Sequence, residues 1–257
     1  MNIRQIFFKN TLRNFCYLIV FDDGTIYCID PFNHTEVLEY TQAQDVVISA
    51  IVNTHDHCDH YSGNAALVET FKCPVYAHMK ASIPGKTKNL VDGDVLYENA
   101  GWELSAVDTP GHTMSHMCLL LKFNGVPHSL FTGDCFFNAG VGNCHNGGNP
   151  ESLFDTISTI FSKYPDELLI YPGHDYLKRN LEFTLSIEKH NARAKEFLDK
   201  ISTLDLNEIF FINNMQTERK INMFLRLDEK EIKENLNLEH SNNKDIFLRL
   251  RELRNKW

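Results

Sequence analysis

Asn53-Thr54-His55-Asp56-His57-Cys58-Asp59-His60-Tyr61-Ser62-Gly63 follows without a break on the apolar segment 46–52. An apolar run of that length, bounded by polar residues, reads as a buried strand. The strand therefore delivers four potential metal ligands, His55, His57, Asp59 and His60, onto the loop that leaves it. In an extended loop alternate side chains share a side, so His55 and His57 can grip one cation while Asp59 and His60 turn past it toward a second. The spacing favours two metals over one.

Three later residues stand in similar strand-to-loop settings. They are His112 in Thr109-Pro110-Gly111-His112, Asp134 in Phe131-Thr132-Gly133-Asp134, and His174 in Tyr171-Pro172-Gly173-His174. A glycine ahead of each permits close backbone approach or a positive φ, so a ligand can be aimed from the end of a rigid strand. One arrangement uses all of these residues: His55, His57 and His112 on a first metal, Asp59, His60 and His174 on a second, and Asp134 between them. Imidazole and carboxylate donors without thiolate suit zinc first, with iron or manganese as alternatives. Open coordination is expected for a catalytic rather than a structural ion.

Outward from these residues the chain divides. Strands are expected at residues 3–8, 16–21, 25–29, 46–52, 74–77, 103–107, 117–123, 129–131 and 168–171, and helices at 36–44, 63–71 and 151–163. Turns such as Asp23-Gly24 and Asn124-Gly125 separate several of them. Beyond about residue 175 the strand signals vanish and Ile246, Leu250, Leu253 and Trp257 recur at helical spacing. A domain over 1–175 and a helical domain over 176–257 are expected, and the second places Arg251 and Arg254 together on one face.

At 257 residues with 43% hydrophobic side chains, the chain can bury a sizeable core. A net charge of -9 argues against nucleic acid as the main partner. The cationic end of the chain, Arg249, Arg251, Arg254 and Lys256, still offers a local meeting place for a small anion. Seven cysteines, scattered and never spaced as Cys-x-x-Cys, read as reduced thiols of a cytoplasmic protein. No apolar segment is long enough to span a bilayer. The oligomeric state is not legible.

The run Thr54–His60, with His112, Asp134 and His174 behind it, resembles the metallo-β-lactamase superfamily. Pro172-Gly173-His174-Asp175-Tyr176, then Asn180-Leu181 and a helical C-terminal region, make the chain similar to its glyoxalase II (hydroxyacylglutathione hydrolase) branch. The resemblance implies an α/β fold, an αββα sandwich with the metals at one edge, followed by a helical domain. It implies hydrolysis of S-D-lactoylglutathione, or another S-2-hydroxyacylglutathione, to glutathione and a 2-hydroxy acid. Asp134 would bridge the metals, and Asp59 would also orient the attacking water. Metal coordination lowers the pKa of water to about 7, which supplies a nucleophile near neutrality.

The resemblance further implies that Tyr176, Arg251 and Arg254 hold the glutathione moiety. Asn143 and His145 stand where the family carries a basic residue and a tyrosine for the same ligand, and Ser115 where it carries a glycine. His145 is either a donor to a carboxylate or a lining residue. Rival readings are a persulfide dioxygenase using one iron, a lactonase, β-lactamase or other thioesterase on the same metal core, and a non-catalytic metal-binding interaction module. The helical C-terminal extension stands against the dioxygenase, the C-terminal basic pair against the lactonase or β-lactamase, and the full ligand set against the non-catalytic module.

Overall fold

The computed structural model describes residues 1–257. Strands β1 (Asn2–Phe7), β2 (Phe15–Val20), β3 (Ile26–Ile29), β4 (Ala50–Asn53), β5 (Val75–His78) and β6 (Lys88–Leu90) form one sheet in that order. Its first three strands pair antiparallel and the remainder join in parallel. Between them lie α1 (Thr35–Gln44), the single turn α2 (Cys58–Tyr61) and α3 (Asn64–Phe71). The second sheet has the order β13-β10-β9-β8-β7, built from β7 (Val95–Asn99), β8 (Trp102–Asp108), β9 (Met117–Phe123), β10 (Val126–Gly133) and β13 (Leu169–Pro172). A small hairpin, β11 (Phe136–Phe137) and β12 (Gly140–Val141), and helix α4 (Pro150–Thr159) separate β10 from β13. After β13 the chain is helical: α5 (Leu177–Ile187), α6 (Ala192–Ile201), α7 (Met215–Ile221), α8 (Lys230–Leu236) and α9 (Asn243–Lys256).

The side-chain period of two explains the layering. In β2, Phe15, Tyr17 and Ile19 face Leu104, Leu119, Leu121 and Phe131 of the second sheet, while Cys16 and Leu18 face Val37 of α1 and Leu67 of α3. Cys118, Leu120, Leu130 and Ile170, on the far side of the second sheet, pack under Leu153 and Ile157 of α4 and under Met215, Ile232, Ile246, Phe247 and Leu250 of the later helices. The result is helix, sheet, sheet, helix. Central strands buried on both faces read as continuous apolar runs, which is why β2, β3 and β9 are plain in the sequence.

Some expected boundaries move. β4 starts at Ala50 because the Val46 amide closes the end of α1 on the Thr41 carbonyl (3.0 Å), which leaves 46–49 as a connection. The expected helix at 151–163 starts one residue earlier, at Pro150, with Asn149 accepting from the amides of Glu151 and Ser152 (2.9 Å each). It stops at Thr159 and continues only as a 3-10 turn, Phe161–Lys163. β6 and β7 escape the sequence reading because they are polar or edge strands, and β10 runs longer than expected, starting directly at the Asn124-Gly125 turn (φ 48° and 78°). On α9, Ile246 and Leu250 are buried, whereas Trp257 is 49% exposed and lies outside the packing stripe expected for it. No helix is long and apolar enough to cross a membrane.

Candidate active site

Four strand ends meet at one edge of the sandwich. β4 ends in the 54–60 segment, the β8–β9 connection carries His112, β10 ends at Asp134 and β13 at His174. The amide of Met117 donates to the carbonyl of Thr54 (2.8 Å) and that of Phe15 to Gly173 (2.8 Å), so the edges are tied together where the ligands leave them. The 54–60 segment is not extended throughout. It turns into α2 at Cys58, and that turn rotates Asp59 and His60 away from His55 and His57.

The expected ligands fall into the two expected groups. Ring nitrogens of His55, His57 and His112 lie together, as do donor atoms of Asp59, His60 and His174. Asp134 stands between the groups: Oδ2 is 3.6 Å from His112 Nε2 and 3.2 Å from His174 Nε2, and Oδ1 is 3.4 Å from His60 Nε2. Asp59 Oδ2 is 3.5 Å from His174 Nε2 and 3.6 Å from His60 Nε2.

The hydrogen bonds on the outer side of each ring decide what the inner side offers. His57 Nε2 must donate to the carbonyl of Asn146 (3.0 Å), His112 Nδ1 to that of Asn143 (2.6 Å) and His174 Nδ1 to that of Leu12 (2.8 Å), because a carbonyl can only accept. His60 Nδ1 donates to Asp30 Oδ2 (3.0 Å). Thr54 Oγ1 donates to the same oxygen (2.6 Å) and so accepts from His55 Nδ1 (3.0 Å). In the neutral rings the five inner nitrogens then carry lone pairs. Yet His57 Nδ1 faces His112 Nε2 at 3.0 Å and His55 Nε2 at 3.1 Å, and His60 Nε2 faces His174 Nε2 at 3.2 Å. Lone pairs at such distances repel unless a cation lies among them. Nitrogens about 2.0–2.1 Å from a tetrahedral zinc stand about 3.3 Å apart, so the separations fit. Asp134 Oδ1 is buried with no hydrogen-bond partner in the chain, which leaves a charged acceptor suited to a cation. The residues therefore fit divalent metals.

The electrostatics agree. Burial holds His55 far below the usual imidazole range and lowers His112 to about 4, keeping both in the neutral form that ligates. Burial also opposes a charge on His60, but Asp134 and Asp30 outweigh it and raise that group to about 10, so without a metal a proton stands between His60 and His174, and a metal would take its place. Burial works against the Asp134 carboxylate too, and His174 and His60 outweigh it, holding that group well below its ordinary range. Carboxylates at this edge demand positive charge.

Beside the ligands opens a cavity of about 300 Å³ lined by Phe137, Asn143, His145, Tyr176, Arg179, Asn180, Arg251 and Arg254 among others. It gathers all five residues expected to hold the substrate. Tyr176 stacks on His174 (4.9 Å, 5°) and meets Phe137 edge-on at 5.2 Å, which sets its ring against the metal ligands. Arg254 donates to Asn180 Oδ1 through Nε and Nη2 (3.3 and 3.0 Å). Arg251 is only 4% exposed: Nη1 donates to the carbonyls of Val141 and Gly142 (2.7 and 3.0 Å) and Nε to Asn255 (3.1 Å). It ties α9 to β12 and keeps Nη2 for any ligand. Asn143 folds back on its own loop, Oδ1 accepting from the His145 amide (3.2 Å), and both residues are exposed.

A profile of the metallo-beta-lactamase superfamily matches residues 10–174, and one described as hydroxyacylglutathione hydrolase C-terminus matches 175–257. A hydroxyacylglutathione hydrolase of Nitrosococcus oceani is 41% identical over 100% of both chains. The chain belongs to the hydroxyacylglutathione hydrolase family. Among solved structures, a metallo-beta-lactamase from Staphylococcus aureus shares the fold over 99% of this chain and 71% of that one (TM-score 0.67, 21% identity). A protein solved in a di-iron-bound form covers 66% of this chain and 91% of its own (TM-score 0.54, 26% identity).

In this member of the hydroxyacylglutathione hydrolase family, three residues that support the site escape sequence reasoning. Asp30, buried with φ 52°, accepts from the Thr54 amide (2.8 Å) as well as from Thr54 Oγ1 and His60. His116 accepts the Asp134 amide on Nε2 (3.2 Å) while Nδ1 bonds Thr109 Oγ1 (2.8 Å). Asn14 donates to Asp59 Oδ2 (3.0 Å). The Asp-Pro pair at 30–31, closing an apolar run, and the repeat of histidine four residues after His112 are faint signals for the first two. Asn14 has none, since a tertiary bridge to His174 brings it to Asp59.

Proposed function

We propose that this chain is a two-metal thioester hydrolase acting on S-2-hydroxyacylglutathione, with S-D-lactoylglutathione as the substrate of choice and glutathione and D-lactate as products. The observation that carries this reading is the pair of facing lone-pair clusters, His55/His57/His112 and His60/His174 with Asp59, on either side of Asp134. The cation-lined cavity beside them supports an anionic carrier. The 41% identity to a hydroxyacylglutathione hydrolase over the full length supports the substrate class. Zinc is the metal we favour on donor chemistry, with iron or manganese as alternatives, iron because of the di-iron-bound relative.

Two bound divalent ions supply a water of lowered pKa and a Lewis acid for a carbonyl oxygen. The chain's own residues do the remainder. Asp59, fixed on one oxygen by Asn14, orients a water and accepts its proton. Tyr176, Asn143, His145, Arg251 and Arg254 hold the carrier so that its thioester reaches the ligand cluster. The leaving thiolate needs no proton donor at neutrality, since a thiol pKa is only about 8.5.

We read residues 1–175 as the metal domain and 176–257 as the carrier-binding domain, a division supported by where the two profiles meet. Seven free cysteines support a reducing, cytoplasmic setting, and a net charge of -9 supports a small-molecule partner rather than nucleic acid.

A panel of glutathione and non-glutathione thioesters, a β-lactam, a lactone and glutathione persulfide, offered to protein reconstituted with zinc, iron or manganese, tests the reading. Turnover of glutathione thioesters without oxygen uptake is expected. Oxygen consumption with the persulfide and silence toward lactoylglutathione would reverse it.

A further inference from the structure

None of the side chains lining the 300 Å³ cavity beside the ligands is acidic, yet three of them are guanidinium groups. Two are partly spent on the protein. Arg251 is bound to the carbonyls of Val141 and Gly142, and Arg254 to Asn180 Oδ1. Arg179 differs: it is exposed and makes no hydrogen bond or ion pair within the chain. Glu182 follows three residues later on the same helix, a spacing that commonly pairs such groups, and the two do not pair. Arg179 also lines a second recess of about 490 Å³ that shares Thr11 and Tyr176 with the first, so it stands where the two spaces join.

Its position is costly. Tyr176 caps α5, which places Lys178 and Arg179 in the first helical turn with no acidic residue among them. Cations there oppose the helix dipole. Arg179 also adds to the effect of burial in lowering the neighbouring Arg254 to about 10. No acidic residue of the first turn offsets the first cost, and Tyr176 offsets only part of the second, leaving Arg254 lowered. A local arrangement that breaks the charge rules without full internal compensation is the mark of a group meant for a ligand.

We propose that Arg179 is a specificity-determining residue that, together with Arg254, takes a carboxylate of a dianionic thiol carrier at the mouth of the cavity. The proposal rests on the thioesterase reading above. A carrier with two carboxylates is preferred because Arg251 retains one free terminal nitrogen deep in the same cavity, which leaves the outer pair for a second anionic group.

The test is calorimetric titration of S-methylglutathione, and of its diester with both carboxylates blocked, into wild-type protein, Arg179→Ala and Arg179→Lys, alongside steady-state kinetics on S-D-lactoylglutathione. Arg179→Ala should raise Kd about tenfold. It should raise KM by a similar factor with kcat unchanged, since only uniform binding is removed. Arg179→Lys should recover most of the affinity, and the difference between wild type and Arg179→Ala should vanish with the diester. Wild-type values for Arg179→Ala, with wild-type thioester turnover intact, would overturn the proposal and leave the thioesterase reading standing. Binding that depends on Arg179 without any turnover would support the proposal and overturn that reading. A wild-type protein that neither binds nor turns over overturns both.

Discussion

Asp30 receives Thr54 Oγ1 and His60 Nδ1 on a single oxygen, so one carboxylate orients two imidazoles, His55 through Thr54 and His60 directly. Outer partners of this kind are worth about 10–100-fold in metal affinity. Asp30→Asn, which tolerates the left-handed backbone at φ 52°, should therefore weaken metal retention by that order in competition with a chelator; unchanged affinity would contradict the role. Gly173 makes a second prediction. A Cβ there would lie 2.5 Å from Asp134 Oδ1 and 2.9 Å from His60 Cε1. Gly173→Ala should lower activity at least tenfold by displacing both ligands, and an active-site geometry that tolerates the methyl group would appear as wild-type turnover. The seven candidate ligands were legible because each follows a strand and four lie within six residues. Asp30, Asn14 and His116 were not, because their meaning depends on tertiary neighbours and not on spacing.

The elements around the β11–β12 hairpin are joined to the helices by a buried carboxylate. Glu218 of α7 accepts from the amide of Ala139 (2.8 Å), from Asn213 (2.7 Å) and from Asn222 (3.1 Å), and Asn222 also donates to the carbonyl of Gly140 (3.1 Å). Burial raises Glu218 to about 7 from an ordinary 4.5 despite these donors. The folded state then holds the proton more tightly than the unfolded one. Its contribution is full below about pH 4.5 and is lost as pH rises through about 7, by about 3 kcal/mol at most. Glu218→Gln removes the titration, so Tm of the wild type should fall relative to the variant between pH 5 and pH 8; parallel Tm curves would refute the assignment. The long apolar strands of both sheets were plain from sequence, and so was the Asn124-Gly125 hairpin. The turn of α2 was not, since Cys58–Tyr61 carries no helical periodicity of its own and is shaped by what its side chains hold.

At the scale of the molecule the helical region is part of the same core as the second sheet. One cluster of 21 buried residues draws on Leu130, Leu153, Ile157 and Ile170 and equally on Met215, Ile232, Phe247 and Leu250. Each such side chain is worth about 1.5–3 kcal/mol on burial, and a domain's whole margin is about 5–15 kcal/mol. A chain ending at residue 175 should therefore be recovered aggregated or unfolded; a soluble, cooperatively folding fragment would show that the strands and α4 suffice. The central claim concerns the metals. Metal-free protein titrated with zinc while S-D-lactoylglutathione hydrolysis is followed should gain activity that saturates at about two equivalents per chain, with Asp134→Ala inactive throughout. Saturation at one equivalent, or hydrolysis by metal-free Asp134→Ala at the wild-type rate, would contradict it.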